Sequence, residues 1–241
     1  MKCSFISDLH LDSTTPERVD AFARFLRRES SRCDELYLLG DLTEVWIGDD
    51  DDSPFAQALK VELAAAAANC RIRLMHGNRD FLIGDEFARS SRVELIDDPF
   101  VIDRNGQRLL LCHGDALCVD DVAYQRTRSV LRSQAWQTDV KAKPLAERRK
   151  LADAMRAQSR AANANKPSNI MDVAESAVAD IVSQHEAAAL IHGHTHRPGI
   201  HAIGKAATRY VLGDWNRCGW LLRFDGSFSL LRFPLAGHCE I

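Results

Sequence analysis

Seven side chains of the kinds that bind metal ions lie in five short clusters along the 241-residue chain. They are Asp8, His10, Asp41, Asn78, His113, His194 and His196. Carboxylate, amide and imidazole ligands suit manganese, iron, zinc or magnesium better than metals that favour thiolates. One ion takes about four to six ligands, so seven ligands, with Asp41 free to bridge, predict two ions about 3.5–4 Å apart.

Each of these residues also has an ordinary structural interpretation. Asp8 could cap a helix, Asn78 could lie in a turn, and His113 could be a core histidine. A shared context favours a site instead, because every cluster follows a short apolar run that ends in a small residue. Examples are "CSFISDLH", "ELYLLGD", "RLLLCHGD" and "AALIHGHTH".

The apolar runs of four to eight residues predict buried strands, and segments such as "TPERVDAFARFLRRESS" predict helices between them. Strands that alternate with helices predict an α/β layered fold, in which ligands bind beyond the carboxyl ends of the strands. The later runs "RYVLGDW", "GWLLRFD" and "FSLLRF" predict antiparallel strands, with a tight turn at Asp225-Gly226. We therefore expect one α/β domain over residues 1–241, with mixed sheets packed between helices.

The composition is typical of a water-soluble globular protein, with 46% hydrophobic and 27% charged residues. Seven scattered cysteines without a CxxC argue against a disulfide framework and favour a reducing cytoplasm. No apolar run approaches the roughly 20 residues of a membrane-spanning helix, and early polar residues interrupt any signal-peptide core. The acidic run from Asp49 to Asp52 is typical of a solvated loop.

In chain order, the motifs D-x-H, G-D, G-N-R-D, H-G-D and G-H-T-H resemble those of the calcineurin-like metallophosphoesterases, from Asp8 to His196. The resemblance implies an αββα sandwich with mixed sheets. The longer segments "GDLTEVWIGDDD", "GNRDFLIG", "LCHGDALCVDD" and "GHTHRP" further resemble the UDP-2,3-diacylglucosamine hydrolases of that superfamily, which act in lipid A biosynthesis. This chain differs at Thr43, where those proteins usually have an aromatic residue.

The resemblance implies that seven ligands hold two Mn²⁺ ions. One ion would be held by Asp8, His10, Asp41 and His196, and the other by Asp41, Asn78, His113 and His194. It also implies hydrolysis of the pyrophosphate bond of UDP-2,3-diacylglucosamine to UMP and 2,3-diacylglucosamine 1-phosphate. In that reaction metal-bound hydroxide attacks the α-phosphorus. The catalytic residues would be Asp41, Arg79 and His194.

Arg79 follows the G-N pair, where many phosphatases of the superfamily carry a histidine that protonates an alkoxide leaving group. Arginine cannot supply a proton at working pH, but it can clamp a phosphate with two parallel N–H groups. A leaving group that is itself a phosphate monoester needs little protonation. Arg79 therefore favours cleavage of a phosphoanhydride, and an ion pair with Asp80 is the structural alternative.

Residues 122–166 are strongly basic, with 11 Lys and Arg against 3 Asp and Glu, leaving 20 against 31 in the rest of the chain. This stretch predicts an inserted helical lid. Its apolar side chains either pack on the body or line a groove for acyl chains; they include Val130, Leu131, Trp136, Leu145, Leu151 and Met155. The family resemblance implies substrate contacts from Asn78, Arg79, Asp121, Ser159, Asn163, Lys166 and His194.

A lipid-linked nucleotide sugar as substrate implies peripheral binding to the cytoplasmic face of the inner membrane. The basic charge also suits nucleic acid, but no nucleic-acid-binding motif appears, and we infer no obligate protein partner. Two rival functions stay open. One is a two-metal phosphodiesterase or nucleotide pyrophosphatase that acts on a soluble compound. The other, a non-catalytic scaffold, is disfavoured because all seven ligands are present.

Three further histidines are left out of the ligand set. His192 and His201 could orient the ligands or fill core space, and His76 lies two residues before Asn78.

Overall fold

A computed structural model describes residues 1–164 and 170–235, apart from the side chains of residues 163 and 164. The strands of this part are β1 (Cys3–Ile6), β2 (Glu35–Leu39), β3 (Arg71–Met75), β4 (Glu94–Ile96), β5 (Phe100–Arg104), β6 (Gln107–Leu111), β7 (Ala189–His192), β8 (Gly199–Ile203), β9 (Ala207–Val211), β10 (Cys218–Phe224) and β11 (Phe228–Pro234). The α-helices are α1 (Pro16–Glu29), α2 (Pro54–Ala66), α3 (Asp85–Ser91), α4 (Val122–Leu131), α5 (Gln134–Lys141), α6 (Leu145–Ala164) and α7 (Glu175–Gln184). Among these helices none is long and apolar enough to cross a membrane.

The strands form two mixed sheets. The first has the order β11-β10-β1-β2-β3-β4, in which β1 to β4 run parallel and β10 runs antiparallel to β1. The second has the order β5-β6-β7-β9-β8, with β6, β7 and β9 parallel and the two outer strands antiparallel. The mixed sheets are confirmed. The grouping of β9 with the C-terminal hairpin is wrong, because the periodicity of a strand does not determine its neighbours.

Side chains that alternate between the two faces of each strand divide the core into layers. Phe5, Tyr37 and Met75 of the first sheet pack in one cluster with Leu111 and Ile191 of the second. The other face of the first sheet packs on α1 and α2, and the other face of the second sheet packs on α7. The fold is therefore an αββα sandwich, as the sequence predicts.

The predicted helical insertion forms three helices, α4 to α6, because Ser133 caps a new helix two residues after α4 ends. The acidic loop before α2 anchors this insertion. Arg148 of α6 donates to the carbonyl of Ile47 at 2.8 Å and pairs with Asp50, and Arg149 pairs with Asp51 at 2.9 Å. The interpretation of residues 49–52 as a solvated loop is therefore confirmed only in part, because Asp50 and Asp52 are 60% and 84% exposed while Asp50 and Asp51 also pair with α6.

Helix α4 is anchored on the body by a buried carboxylate. Asp115 accepts hydrogen bonds from Tyr124 Oη at 2.6 Å and from Arg128 Nε at 2.7 Å. Arg132, just after the helix, donates to the carbonyl of Gly77 at 2.9 Å. The insertion is thus held against the body through both α4 and α6.

Candidate active site

One group of ligands gathers where β1 and β7 end. Asp8 Oδ1 lies 3.4 Å from His196 Nε2, and His10 Nε2 lies 3.2 Å from the same nitrogen. Asp8 Oδ2 accepts hydrogen bonds from Ser7 Oγ at 2.6 Å and from the backbone N–H of His194 at 2.9 Å. Asp8 Oδ1 is buried and has no hydrogen-bond partner among the described residues. An unpaired carboxylate oxygen beside two imidazole nitrogens fits a bound cation.

A second group gathers where β3 and β6 end. Asn78 Oδ1 lies 3.0 Å from His113 Nε2 and 2.9 Å from His194 Nδ1. The other ring nitrogen of His113 lies 2.9 Å from the carbonyl of Leu39, which orients the ring so that Nε2 faces the site.

Asp41, which follows β2, lies between the two groups. Its Oδ2 is 3.8 Å from His10 Nε2, and its Oδ1 is 3.7 Å from His113 Nε2. The same Oδ1 accepts a hydrogen bond from the backbone N–H of Arg79 at 2.8 Å. One carboxylate therefore presents an oxygen to each group, which is the geometry that a bridging ligand needs. The structure thus brings all seven sequence-predicted ligands together at one edge of the sandwich.

The backbone at this edge is strained. Five of the seven ligand residues have left-handed backbone angles; they are Asp8 (φ 55°), His10 (φ 48°), Asp41 (φ 52°), His194 (φ 66°) and His196 (φ 54°). Such angles in residues other than glycine cost on the order of 1 kcal/mol each and concentrate at functional sites. Gly40 is required here, because a Cβ at that position would lie 2.4 Å from His113 Nδ1.

Burial sets the protonation of the ligands. Burial, partly offset by His113 and His10, raises the pKa of Asp41 to about 6. Burial lowers the pKa of His194 to about 3, so that this ring is neutral near pH 7. Burial disfavours a charged His113 as well, but the nearby carboxylates of Asp41 and Asp115 raise its pKa to about 9. A divalent cation at this edge would keep Asp41 ionised and displace the proton of His113.

The Arg79 side chain lines a cavity at the ligand edge and does not form an ion pair with Asp80, its neighbour in sequence. Its Nη1 is 3.8 Å from Glu44 Oε1. Asp80 instead accepts hydrogen bonds from the backbone N–H groups of Leu42 and Gly77, each at 2.7 Å. The Arg79–Asp80 ion pair considered from the sequence is therefore wrong, and Arg79 remains available for a ligand.

A cavity of about 600 Å³ extends from the ligand edge to beneath the inserted helices. One end is polar, with Asp41, Asn78 and Arg79, and the rest is largely apolar. Its apolar wall includes Trp46, Phe81, Leu131, Trp136, Leu151 and Met155. Four of these are among the apolar insertion residues that the sequence predicts, whereas Val130 is 56% exposed and lies on the outer surface. Trp46 and Phe81 were missed, because a lone aromatic residue is equally typical of a core.

The predicted substrate contacts have different outcomes. Ser159 of α6 and Asp121 both line the cavity. Asp121 is also the N-cap of α4, where its carboxylate accepts a hydrogen bond from the backbone of Tyr124 at 3.1 Å. The side chain of Asn163 and all of Lys166 lie outside the described residues.

The three histidines that the sequence analysis weighed but left out of the ligand set differ in their surroundings. His192 is fully buried, its Nδ1 is 2.9 Å from the carbonyl of Gly193, and burial lowers its pKa to about 4. His201 is exposed on β8. His76 Nε2 contacts the carbonyl of Ile83 at 2.8 Å.

Residues 1–198 match the family model for the calcineurin-like phosphoesterases. The αββα sandwich and the cluster of metal-binding side chains at its edge define a metallophosphoesterase, a class of hydrolase that uses divalent metal ions.

Curated relatives narrow the assignment. The UDP-2,3-diacylglucosamine hydrolase of Azotobacter vinelandii is 44% identical over 240 residues, covering 98% of this chain and 100% of the relative. The UDP-2,3-diacylglucosamine hydrolase of Chromobacterium violaceum is 46% identical over 237 residues, covering 96% of this chain and 98% of the relative. The chain therefore belongs to the UDP-2,3-diacylglucosamine hydrolase family.

Solved structures share the fold at low identity. A dimetal phosphatase from Danio rerio is 13% identical with a TM-score of 0.55, covering 98% of this chain and 96% of that one. An archaeal phosphodiesterase is 13% identical with a TM-score of 0.50, covering 97% of this chain and 100% of that one. These likenesses support the fold alone.

Proposed function

We propose that this chain hydrolyses the pyrophosphate bond of UDP-2,3-diacylglucosamine, giving UMP and 2,3-diacylglucosamine 1-phosphate for lipid A biosynthesis. The observation that carries the proposal is one cavity that joins the clustered ligands to an apolar chamber. Such a cavity accommodates a phosphate at one end and hydrocarbon at the other. The relatives described above carry the name of the same activity.

We assign two Mn²⁺ ions to the edge, with the sharing of ligands that the family resemblance implies. Asp8, His10 and His196 would hold one ion, Asn78, His113 and His194 the other, and Asp41 both. Bound divalent ions supply charge neutralisation of the phosphate oxygens and lower the pKa of water. The orphaned Asp8 Oδ1 and the facing imidazoles support this assignment.

The protein groups have separate tasks in this reaction. Asp41 is fixed by the backbone N–H of Arg79, so that its two oxygens stay aimed at the two ligand groups. Arg79 clamps a phosphate oxygen and stabilises charge on the leaving phosphate without transferring a proton. His194 is neutral because it is buried. Its Nδ1, which lies 2.9 Å from Asn78 Oδ1, therefore keeps a lone pair for a metal ion. Ser159 and Asp121 contact the remaining polar part of the substrate.

Hydrolysis in ¹⁸O-labelled water tests the reaction and the side of attack. We expect purified protein with Mn²⁺ to convert UDP-2,3-diacylglucosamine to UMP that carries the label, because water attacks the α-phosphorus. Mass spectrometry of both products is the measurement. Label in the lipid phosphate would contradict attack at the α-phosphorus, and absence of both products would contradict the substrate assignment.

We further propose that the enzyme binds peripherally to the cytoplasmic face of the inner membrane through the outer face of α4. Val119, Val122 and Val130 are 43%, 54% and 56% exposed, and the exposed Arg126 lies between the last two on the same helical face. Valine and arginine together suit an anionic lipid surface. The neighbouring Thr127 and Leu131 line the cavity. Binding through this face of α4 would therefore bring the opening of the cavity close to the lipid.

Binding to vesicles tests this surface. The double variant Val122→Asp/Val130→Asp is expected to float less with anionic vesicles, because both charges would face the lipid, while hydrolysis of detergent-solubilised substrate stays unchanged. Val61→Asp is the matched control, since Val61 is 67% exposed on α2. Equal flotation of all three proteins would rule out the α4 face.

A further inference from the structure

Glu44 places a carboxylate inside a cavity that we assign to an anionic substrate. It lies in the loop after β2, lines the cavity, and has a side chain that is 27% exposed. A carboxylate near a pyrophosphate repels it unless its charge is matched by the protein. The partners of Glu44 therefore show what this residue does at the site.

The backbone of Glu44 is fixed to the loops that carry the ligands. Its N–H donates to the carbonyl of Leu11 at 3.0 Å, directly after His10, and Thr43 pairs with Leu11 in an isolated β-bridge. This bridge fixes the course of the chain at Thr43, where the sequence departs from the family pattern. The side chain of Glu44 consequently starts from a fixed point beside His10.

The side chain of Glu44 contacts the side of the His10 ring that faces away from the other metal-binding residues. Glu44 Oε2 is 3.1 Å from His10 Nδ1, a charge contact that lacks the alignment of a hydrogen bond, while His10 Nε2 on the opposite side of the ring faces His196 at 3.2 Å. The second oxygen, Oε1, is 3.8 Å from Arg79 Nη1. One carboxylate therefore spans an imidazole that faces the ligands and a guanidinium that faces the substrate.

We propose that Glu44 is a positioning residue that orients His10 for metal binding while Arg79 offsets its charge. A carboxylate beside Nδ1 favours the tautomer with its proton on that nitrogen, leaves the lone pair of Nε2 free, and makes Nε2 a better ligand. The proposal rests on the assignment of His10 as a ligand in the proposed function. It adds Glu44, to which the sequence analysis gave no role, to the machinery of the site.

The test compares Mn²⁺ binding by metal-free wild type, Glu44→Gln and Glu44→Ala, measured by titration calorimetry without substrate. Loss of such an outer partner typically weakens metal affinity 10–100-fold. We expect a loss of about that size for one ion in Glu44→Ala. We expect a smaller loss in Glu44→Gln, whose amide oxygen can still accept from Nδ1. The substitution to glutamine keeps the shape of the side chain, and a thermal melt by circular dichroism verifies folding.

Glu62→Gln is the matched control, because Glu62 also pairs with an arginine, Arg27 at 3.2 Å, but on the outer surface of α2. This variant should bind Mn²⁺ as the wild type does. Unchanged Mn²⁺ affinity in both Glu44 variants would overturn the proposal. A raised KM with unchanged Mn²⁺ affinity would overturn it too, because it would show that Glu44 contacts the substrate directly.

The same series separates this proposal from the proposed function. Turnover of UDP-2,3-diacylglucosamine by the wild type reports on the function, whereas the metal affinities of the variants report on Glu44. Wild type that binds Mn²⁺ but leaves the lipid intact would overturn the substrate assignment, and the comparison of metal affinities would still decide the role of Glu44.

Discussion

Asp41→Asn is expected to lower kcat by more than about 100-fold and to reduce the Mn²⁺ retained per chain. The reason is geometric, because the two oxygens of this carboxylate lie 3.8 Å from His10 Nε2 and 3.7 Å from His113 Nε2. Loss of a group that only supports a ligand typically costs 10–100-fold. Loss of a charge shared by both ligand groups should cost more. Initial rates with UDP-2,3-diacylglucosamine and elemental analysis of the dialysed protein measure the two effects.

The control for this variant is Asp103→Asn, which removes an equivalent charge from an exposed position. The Asp103 side chain is 72% exposed on β5 and lies 3.8 Å from Arg108. Its removal should leave both rate and metal content unchanged. Wild-type turnover in Asp41→Asn would refute the bridging role, and a loss of turnover with full metal content would restrict Asp41 to a function other than metal binding.

The meeting of the ligands was predictable because strand order does not alter which edge of a parallel sheet carries the carboxyl ends. Asp8 and Asp41 follow the parallel strands β1 and β2, and His194 and His196 follow β7, so their convergence requires only that the two sheets stack with these ends together. The prediction of the αββα sandwich depended on the same reasoning together with the family motifs. It did not require knowledge of any side-chain conformation.

The backbone conformation at the site was not predictable from the sequence. Asp8, Asp41 and His194 adopt left-handed angles, which are uncommon for any residue other than glycine. Local propensity cannot indicate such angles, since they persist only where the surrounding structure imposes them. Glu44 escaped notice for a related reason: its partners His10 and Arg79 are brought to it by tertiary structure.

Part of the basic charge of the insertion holds the insertion against the body. Arg128 and Arg148 pair with Asp115 and Asp50 of the body instead of standing free for phosphate or anionic lipid. Asp115 is buried, and breaking a buried pair of this kind costs about 3–5 kcal/mol, whereas Asp50 is 60% exposed and its pair contributes much less. The contrast between the basic insertion and the acidic remainder of the chain therefore reflects, in part, how the insertion is held in place over the cavity.

Removal of both acyl chains from the substrate is expected to lower kcat/KM by at least about 1,000-fold. Each methylene moved from water into an apolar site contributes about 0.8 kcal/mol, so burial of only about five methylenes gives roughly 4 kcal/mol. The apolar part of the cavity, with Phe81, Trp136 and Met155 on its wall, provides the surface for this burial. Comparable turnover of a deacylated UDP-sugar would instead favour a pyrophosphatase for soluble compounds.

A substitution in the cavity wall tests whether the acyl chains bind there. Met155→Glu keeps a long, unbranched side chain but places a charge against the hydrocarbon, and loss of burial worth about 1.5–3 kcal/mol predicts a fall in kcat/KM of roughly 10–100-fold. Met155→Leu keeps the apolar surface and should fall little. Because Met155 lies on the apolar wall of the cavity and is not one of the metal-binding side chains, Met155→Glu should change turnover of the deacylated substrate far less. An equal loss on both substrates would show that the insertion supports the catalytic edge generally and does not hold the acyl chains.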